Sequence, residues 1–297
     1  MSLKEPLARY ENGGTQVTLF PDGTKVRDRI DEARPPPLPE QIDLKITDWC
    51  DAGCAWCHEG STRRGRHADV DRVLGLLHGL PRGFEIAIGG GDPLSHPRFE
   101  ELVAELTARG YVPSVTVNGR HFGRSRDRLE AVIARGHLYG VGVSFHEAMP
   151  EWDYPHHVVH MIAGIDPVAP LEDGRDRRVL VLGYKDWGRG AGFKRKRRAG
   201  VDENLGLWFR VLPWLAERHH LSFDTLAIEQ LRPDRVFARR ESFTGRFMGG
   251  EGEFSMYIDG VKEEYAVSSY APERRPWGAV ERMFGDVRRR SGFRSAA

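Results

Sequence analysis

The chain alternates between short apolar runs and segments with helical spacing from residue 41 to residue 184. In 68–80, for example, apolar residues recur with the period that buries one face of a helix. The runs themselves are largely continuous, which indicates a parallel sheet covered by helices. The predicted strands are 42–47, 84–88, 112–117, 138–145, 156–163 and 178–184, and the predicted helices are 68–80, 97–109, 124–135 and 204–219.

These elements predict an α/β fold. The connections between successive strands are long enough for right-handed crossovers, so the strands can lie parallel in one sheet. A complete eightfold barrel takes about 250 residues, and the segment 41–220 is too short for that. The pattern therefore predicts a partial (βα)6 TIM-like barrel over 41–220.

The two ends of the chain depart from this pattern. Residues 15–20 alternate as a strand does and 25–27 can return beside them, so a β appendage and a Pro-rich linker are predicted for 1–40. Near the other end, Asp259-Gly260 lies between two apolar runs and predicts a β-hairpin. We therefore expect the barrel to be followed by a C-terminal capping extension at 221–297.

The composition is that of a globular protein. Of 297 residues, 40% are hydrophobic, and the formal net charge of +1 gives no overall field that would attract nucleic acid or a membrane. No stretch approaches the ~20 apolar residues of a membrane helix. Residues 1–6 lack the apolar core of a signal peptide. The expected location is therefore the cytoplasm, with no membrane partner.

All three cysteines, Cys50, Cys54 and Cys57, lie directly after the first barrel strand. Their number and clustering exclude a disulfide framework. A structural zinc site needs four ligands, of which His58 would be the fourth, and three ordinary buried thiols are a further interpretation. The polar character of the loop favours a metal centre held by three thiolates with one position open, such as a 4Fe–4S cluster.

The spacing Cys50-x3-Cys54-x-Trp56-Cys57 resembles the hallmark of the radical S-adenosylmethionine (SAM) superfamily, C-x3-C-x-aromatic-C. The resemblance covers residues 41–230 and implies that SAM binds the open iron through its amino and carboxylate groups. It also implies that the reduced cluster cleaves SAM into methionine and a 5′-deoxyadenosyl radical. No cysteine lies outside the motif, so the resemblance is to a single-cluster member without auxiliary-cluster cysteines.

A second segment of this family follows the next predicted strand. Gly89, Gly90, Gly91 and Asp92 stand where the family carries a GGEP-type segment that holds the SAM ammonium, with Asp in place of the usual Glu. Glycines let the backbone approach a ligand closely. By the same resemblance, the other SAM-binding residues are Trp56 in the motif, Asn118 and Ser144 at strand ends, and Ile162 and Gly164 in a strand whose backbone reads the adenine.

Lys185 and Arg189 follow the last predicted barrel strand. They are predicted to lie at the barrel mouth and to hold a carboxylate or phosphate of the substrate, which makes them the candidate catalytic-site residues. The basic run 194–198 has two interpretations, a flexible solvated segment or a contact with an anionic partner such as nucleic acid.

We expect a radical SAM enzyme that abstracts hydrogen from a small-metabolite or peptide substrate in a biosynthetic pathway. The expected cofactors are a 4Fe–4S cluster and SAM, and the expected electron donor is a flavodoxin or ferredoxin. Two alternatives remain open at this point. One is a radical SAM enzyme that modifies nucleotides or nucleic acid, and the other is a non-catalytic metal-binding protein.

Overall fold

A computed structural model describes residues 5–21, 23–32, 34–237 and 250–292. Within them the strands are β1 (Ala8–Asn12), β2 (Thr15–Leu19), β3 (Lys25–Arg29), β4 (Gln41–Thr47), β5 (Glu85–Gly90), β6 (Val112–Asn118), β7 (Gly140–Ser144), β8 (His157–Ile162), β9 (Arg178–Leu182), β10 (His220–Phe223), β11 (Ser255–Asp259), β12 (Glu264–Ala266) and β13 (Arg275–Pro276). The α-helices are α1 (Val70–Leu76), α2 (Phe99–Ala108), α3 (Gly119–Ala134), α4 (Arg189–Ala216), α5 (Thr225–Leu231) and α6 (Val280–Arg290).

Ten strands form one sheet in the order β10-β9-β8-β7-β6-β5-β4-β11-β12-β13. Strands β4 to β10 are parallel, each paired with the next along the chain. Strand β11 joins the other side of β4 in parallel, and β12 and β13 follow it antiparallel. The predicted parallel sheet and C-terminal hairpin are both present, and β10 adds a parallel strand beyond the six that were predicted.

Alternate residues of each strand face the covering helices. In β4, Ile42, Leu44 and Ile46 are buried in one cluster with apolar residues of α1 and α2. Because successive side chains of a strand point to opposite faces, Asp43 and Lys45 lie on the inner face. This inner face is the lumen of the partial barrel, and it is polar where the outer face is apolar.

Two helices are longer than predicted. Helix α3 begins at Gly119 rather than at 124, because the Asn118 side chain caps it by accepting a hydrogen bond from the Arg120 amide at 2.9 Å. Helix α4 begins at Arg189 rather than at 204. Gly190 and Gly192 lower the helix propensity of its first turns, so the sequence did not predict them as helical. The basic run 194–198 is therefore helical, with non-helical backbone angles at Arg197, and most of it is exposed.

The N-terminal segment forms a separate antiparallel sheet, β1-β2-β3, in which β1 was not predicted. It is attached at the start of β4, where Arg27 donates to the buried Glu40 carboxylate at 2.8 and 2.7 Å. Lys25 lies 3.4 Å from the same carboxylate. The appendage therefore packs at the amino ends of the barrel strands, opposite the edge that carries the cysteines.

The C-terminal strands continue the barrel sheet. The predicted boundary at 220 falls on the first residue of β10, and β11 pairs directly with β4. The division of the chain into three domains stays a prediction. Among the residues that the structure describes, no helix is long and apolar enough to cross a membrane.

Candidate functional site

The three cysteines lie on the long loop that leads from β4 to α1, at the carboxyl edge of the parallel strands. The base of this loop is closed by backbone pairing, since the Cys50 amide donates to Thr62 at 3.0 Å and the Thr62 amide donates to Asp48 at 3.1 Å. All three thiols are free and half-buried. The loop therefore presents three sulfur atoms to one region above the lumen.

The thiols have few protein partners. The Ala52 amide donates to Cys50 Sγ at 3.4 Å, and Asn118 Nδ2 donates to Cys54 Sγ at 3.6 Å. Burial raises the pKa of the Cys50 and Cys54 thiols, and the nearby Cys57 raises both further. Cys57 is thus close enough to Cys50 and Cys54 to affect the ionisation of both, and a shared metal centre requires such proximity.

Helix α4 holds the cysteine loop from one side through Arg189. Its Nε donates to the Cys54 carbonyl at 3.0 Å, its Nη1 donates to the Ser61 carbonyl at 2.9 Å, and its amide donates to the Cys57 carbonyl at 3.1 Å. The close approach needs Gly188, where a Cβ would lie 2.3 Å from the His58 carbonyl oxygen. Arg189, predicted to bind substrate, is placed on the backbone of the cysteine loop.

Helix α3 holds the loop from the opposite side. Arg120 donates to the Ala52 carbonyl at 2.7 Å, and Arg124 donates to both oxygens of Asp51 at 3.2 and 3.1 Å. Arg124 holds the pKa of the Asp51 carboxyl below its usual range. The sequence analysis did not identify these two arginines. They are four residues apart directly after Asn118, and this spacing, which places them on one helix face, is the signal that could have identified them.

The third support is a buried ion cluster beneath the loop. Lys45 Nζ lies 2.5 Å from Asp48, 2.9 Å from Glu59 and 3.1 Å from Asp259 of β11. Burial lowers the pKa of Lys45, but the attraction of Glu59 and Asp259 outweighs it, so the pKa is raised. Tyr257 OH also donates to Glu59 at 3.0 Å. The C-terminal strand β11 is therefore part of the scaffold of the site.

The glycine segment packs directly against the cysteine loop. A Cβ on Gly91 would lie 2.1 Å from the Trp49 carbonyl oxygen, and one on Gly90, whose φ is +116°, would lie 2.5 Å from that of Thr47. A Cβ on Gly89 would meet nothing within 4 Å. Gly90 and Gly91 are thus required by the loop backbone, whereas Gly89 borders open space where a ligand can approach.

Asp92 is buried beside this segment. Its amide donates to the Trp49 carbonyl at 2.7 Å, and its Oδ2 lies 3.3 Å from Arg124 Nη2 and 3.3 Å from His121 Nδ1. The other oxygen, Oδ1, is buried without a hydrogen-bond partner among the described residues. Asp92 therefore keeps one acceptor available for a donor that the described residues do not supply.

The remaining predicted SAM contacts lie along the carboxyl ends of the strands. Ser144 ends β7 and pairs in register with Asn118 on one side and His160 on the other. Gly164, at φ +94°, donates its amide to Asn204 Oδ1 at 2.8 Å. The Ile162 amide donates to Asp166 Oδ2 at 2.6 Å, so the backbone amides of Ile162 and Gly164 already have partners. The Trp56 ring packs edge-on against Phe193 of α4, with centroids 5.8 Å apart.

Lys185 follows β9 and extends toward the C-terminal segment. Its Nζ donates to Ser269 Oγ at 3.0 Å and lies 5.7 Å from the centre of the Tyr270 ring. His58 and His160 lie near this charge. Burial lowers the pKa of His58 well below its usual value and that of His160 to about 4, so both are neutral near pH 7. Lys185 and Arg189 thus have different hydrogen-bond partners, and their role in substrate binding stays a prediction.

A parallel α/β sheet with three half-buried thiols on one clamped loop at its carboxyl edge defines a metal-binding protein of the partial-barrel class. Residues 44–166 match the family model described as Radical SAM superfamily. That part of the chain is therefore a radical SAM domain, whose cofactors are a 4Fe–4S cluster and SAM, and the predicted resemblance is confirmed there.

One solved structure supports the fold, and another aligns less well. SuiB of Streptococcus suis bound to precursor peptide SuiA aligns with a TM-score of 0.51 at 12% identity over 77% of this chain, which spans 59% of the length of SuiB. BtrN in complex with AdoMet and 2-DOIA aligns with a TM-score of 0.42 at 11% identity, covering 84% of this chain and 82% of BtrN. The predicted partial-barrel fold class is confirmed by the first comparison. No curated protein matches the chain.

The residues present fit these cofactors. The sequence holds three cysteines, and no other thiol is available to fill the coordination position that SAM would use. Gly89 borders open space, and Asp92 Oδ1 is a buried acceptor to which no residue in the described ranges donates. Both features lie one β-strand away from the thiols, where a bound molecule could contact the cluster and the glycine segment together.

Proposed function

We propose that this chain is an enzyme that cleaves SAM reductively and uses the resulting radical on a second substrate. When bound, the cluster and SAM supply a 5′-deoxyadenosyl radical that can take hydrogen from an unactivated C–H bond. The observation that carries the proposal is the set of Cys50, Cys54 and Cys57 on one loop, supported by three separate elements and left without a fourth thiol.

In this proposal the chain's residues position and enclose the cofactors. Cys50, Cys54 and Cys57 hold three irons, and Asp92 accepts a hydrogen bond from the SAM ammonium through its free Oδ1. Gly89 and its neighbours leave room for the ligand backbone, and Trp56, Asn118, Ser144, Ile162 and Gly164 border the rest of the SAM site. Asn118 also donates to Cys54 Sγ, a contact that stabilises negative charge on that sulfur.

The proposed second substrate is a small metabolite or a peptide of a biosynthetic pathway. It would bind in the lumen, below the carboxyl ends of the strands, where radical and substrate can meet away from solvent. SuiB was solved with a precursor peptide, which supports a peptide as one of the two substrate classes.

The test begins with anaerobic reconstitution of the full chain, followed by measurement of iron, sulfide and the electron paramagnetic resonance spectrum with and without SAM. Dithionite and SAM are then added, and 5′-deoxyadenosine is quantified by mass spectrometry. Cys54→Ser should lose the cluster signal and the product, whereas Ala55→Ser, an exposed change in the same loop, should retain both. Zinc in place of iron, or equal behaviour of the two variants, would refute the proposal.

We also propose that a flavodoxin or ferredoxin delivers the electron at the basic surface beside the cysteine loop. The basic residues in question are the exposed Arg63 and Arg64 on the loop and the exposed part of the run 194–198 on α4, the helix whose Arg189 holds this loop. Replacing Lys196 and Arg197 with glutamine should slow product formation with an acidic flavodoxin while leaving the dithionite-driven rate unchanged. Equal rates with flavodoxin, together with weakened binding of RNA or DNA, would instead favour the nucleic-acid alternative.

A further inference from the structure

The inner face of the barrel carries more acidic than basic groups around Lys185. Asp43 lies on this face because its neighbours Ile42 and Leu44 are buried on the outer face. Its Oδ1 accepts a hydrogen bond from Gln41 Nε2 at 2.9 Å, so one oxygen remains without a described partner. The side chain is exposed to solvent, as expected for the wall of an open lumen.

The C-terminal segment closes the gap between the two edges of the sheet and adds a second carboxylate. Glu251 Oε2 accepts hydrogen bonds from Tyr270 OH at 3.0 Å and from Thr225 at the start of α5. Lys185, after β9, donates to Ser269 of the same segment at 3.0 Å. Residues from the middle of the chain and from its C-terminal segment therefore meet near the Lys185 ammonium.

Asp224 supplies the third carboxylate. Its Oδ1 accepts from the Gly183 amide at 2.9 Å and from the Ala227 amide at 2.7 Å, where it caps α5. Burial raises the pKa of Asp224 and Glu251, and the charge of Lys185 only partly offsets the effect for each. Thr225, which follows Asp224, donates to Glu251, so these two carboxylates are neighbours, and the charge of Asp43 raises the pKa of Glu251 further.

The other charged groups nearby do not relieve this excess. Lys45 is already surrounded by its own three carboxylates. Arg274 lies over the Tyr257 ring at 4.7 Å and donates to the Ser269 carbonyl at 2.5 Å. Among the described residues of this region, the carboxyl groups are Asp43, Asp48, Glu59, Asp224, Glu251 and Asp259, and the cations are Lys45, Lys185 and Arg274.

We propose, resting on the proposed function, that the second substrate carries a cationic amine or guanidinium group that binds among Asp43, Asp224 and Glu251 inside the barrel. A positive group there supplies the counter-charge that the lumen lacks, whereas a carboxylate or phosphate would add to the negative excess. Lys185 accordingly offsets part of this negative charge and is held by Ser269, and it does not act as an anchor for an anionic substrate.

The test uses cyclohexylamine and cyclohexanecarboxylate, two probes with the same ring and opposite charge. Each is titrated into the reconstituted, SAM-loaded full chain at pH 7.5, and binding is followed by ligand-observed nuclear magnetic resonance. The amine should bind in preference to the carboxylate. Asp43→Asn and Glu251→Gln should each weaken the amine by about tenfold, because each removes one nearby charge. Asp202→Asn, an exposed change on α4, is the matched control and should have no effect.

Lys185→Met gives the sharpest distinction, since it removes the ammonium and keeps most of the side-chain volume. The substitution should strengthen binding of the amine. If Lys185 instead anchored an anionic substrate, the substitution would abolish binding of the carboxylate. Preference for the carboxylate, binding of neither probe, or weaker amine binding in Lys185→Met would overturn the proposal. Thermal unfolding confirms that each variant is folded, and SAM binding and 5′-deoxyadenosine are measured separately. A lost probe site and a failed SAM reaction can thus be told apart.

Discussion

Arg189 is expected to retain the iron–sulfur cluster by fixing the backbone of the cysteine loop. The Arg189→Ala change removes two charged hydrogen bonds, to the carbonyls of Cys54 at 3.0 Å and Ser61 at 2.9 Å. Hydrogen bonds to a charged group contribute about 1.5–3 kcal/mol each. Because Arg189 is half-exposed, the lower end applies, and the loop should lose about 3 kcal/mol of ordering.

A loss of this size corresponds to cluster retention weakened by about 100-fold. The assay follows iron release from the reconstituted chain into a chelator, with circular dichroism to confirm the fold. Arg189→Lys should be intermediate, since one ammonium cannot span both carbonyls. Arg195→Ala, an exposed arginine on the same helix, is the control and should release iron as the unmodified chain does. If Arg189→Ala kept its iron and only raised the substrate concentration needed, Arg189 would be a substrate ligand and the reasoning would be wrong.

Three further predictions concern the glycine segment, the buried ion cluster around Lys45, and Asp166. Gly91→Ala should disrupt the loop and lower its iron content, because the new Cβ meets the Trp49 carbonyl. Gly89→Ala should retain iron and weaken SAM binding, and iron analysis with SAM titration compares the two variants. Lys45→Met should destabilise the chain by about 3–5 kcal/mol in urea unfolding, since it leaves buried carboxylates unpaired. Burial raises the pKa of Asp166 to about 7. Between pH 4 and 7 the unfolded chain therefore loses a proton that the folded chain keeps, and stability should fall as pH rises through this window. Asp166→Asn should flatten that dependence by a few kcal/mol in unfolding measured across the window, and an unchanged slope would count against the raised pKa.

The candidate metal centre could be predicted from the sequence because its three candidate ligands lie within eight residues. Cys50, Cys54 and Cys57 lie on one loop, and their spacing alone indicates a shared centre. The strand that precedes them was predicted as a continuous apolar run. In the structure it alternates, with Asp43 and Lys45 on the inner face. The two charged residues in this strand were the available signal that the barrel interior is polar.

The supports of the loop could not be predicted in the same way. Arg189 and Arg120 donate to backbone carbonyls, and any residue type offers a carbonyl, so their partners leave no trace in the sequence. The contact of Lys45 with Asp259 joins residues at opposite ends of the chain. Such contacts are set by the strand order, in which β11 returns to pair with β4.

The same strand order makes the C-terminal segment one of the supports of the cysteine loop. A long loop without regular structure pays a large ordering cost unless neighbouring elements fix it. Here α3, α4 and β11 each fix a different part, through Arg120, Arg189 and the Lys45–Asp259 pair. Strand β11 also brings Tyr257 to Glu59. The candidate metal centre and the lumen share these supports. A substitution in the C-terminal strands should therefore weaken both iron retention and binding in the lumen, although no residue of those strands is a candidate metal ligand.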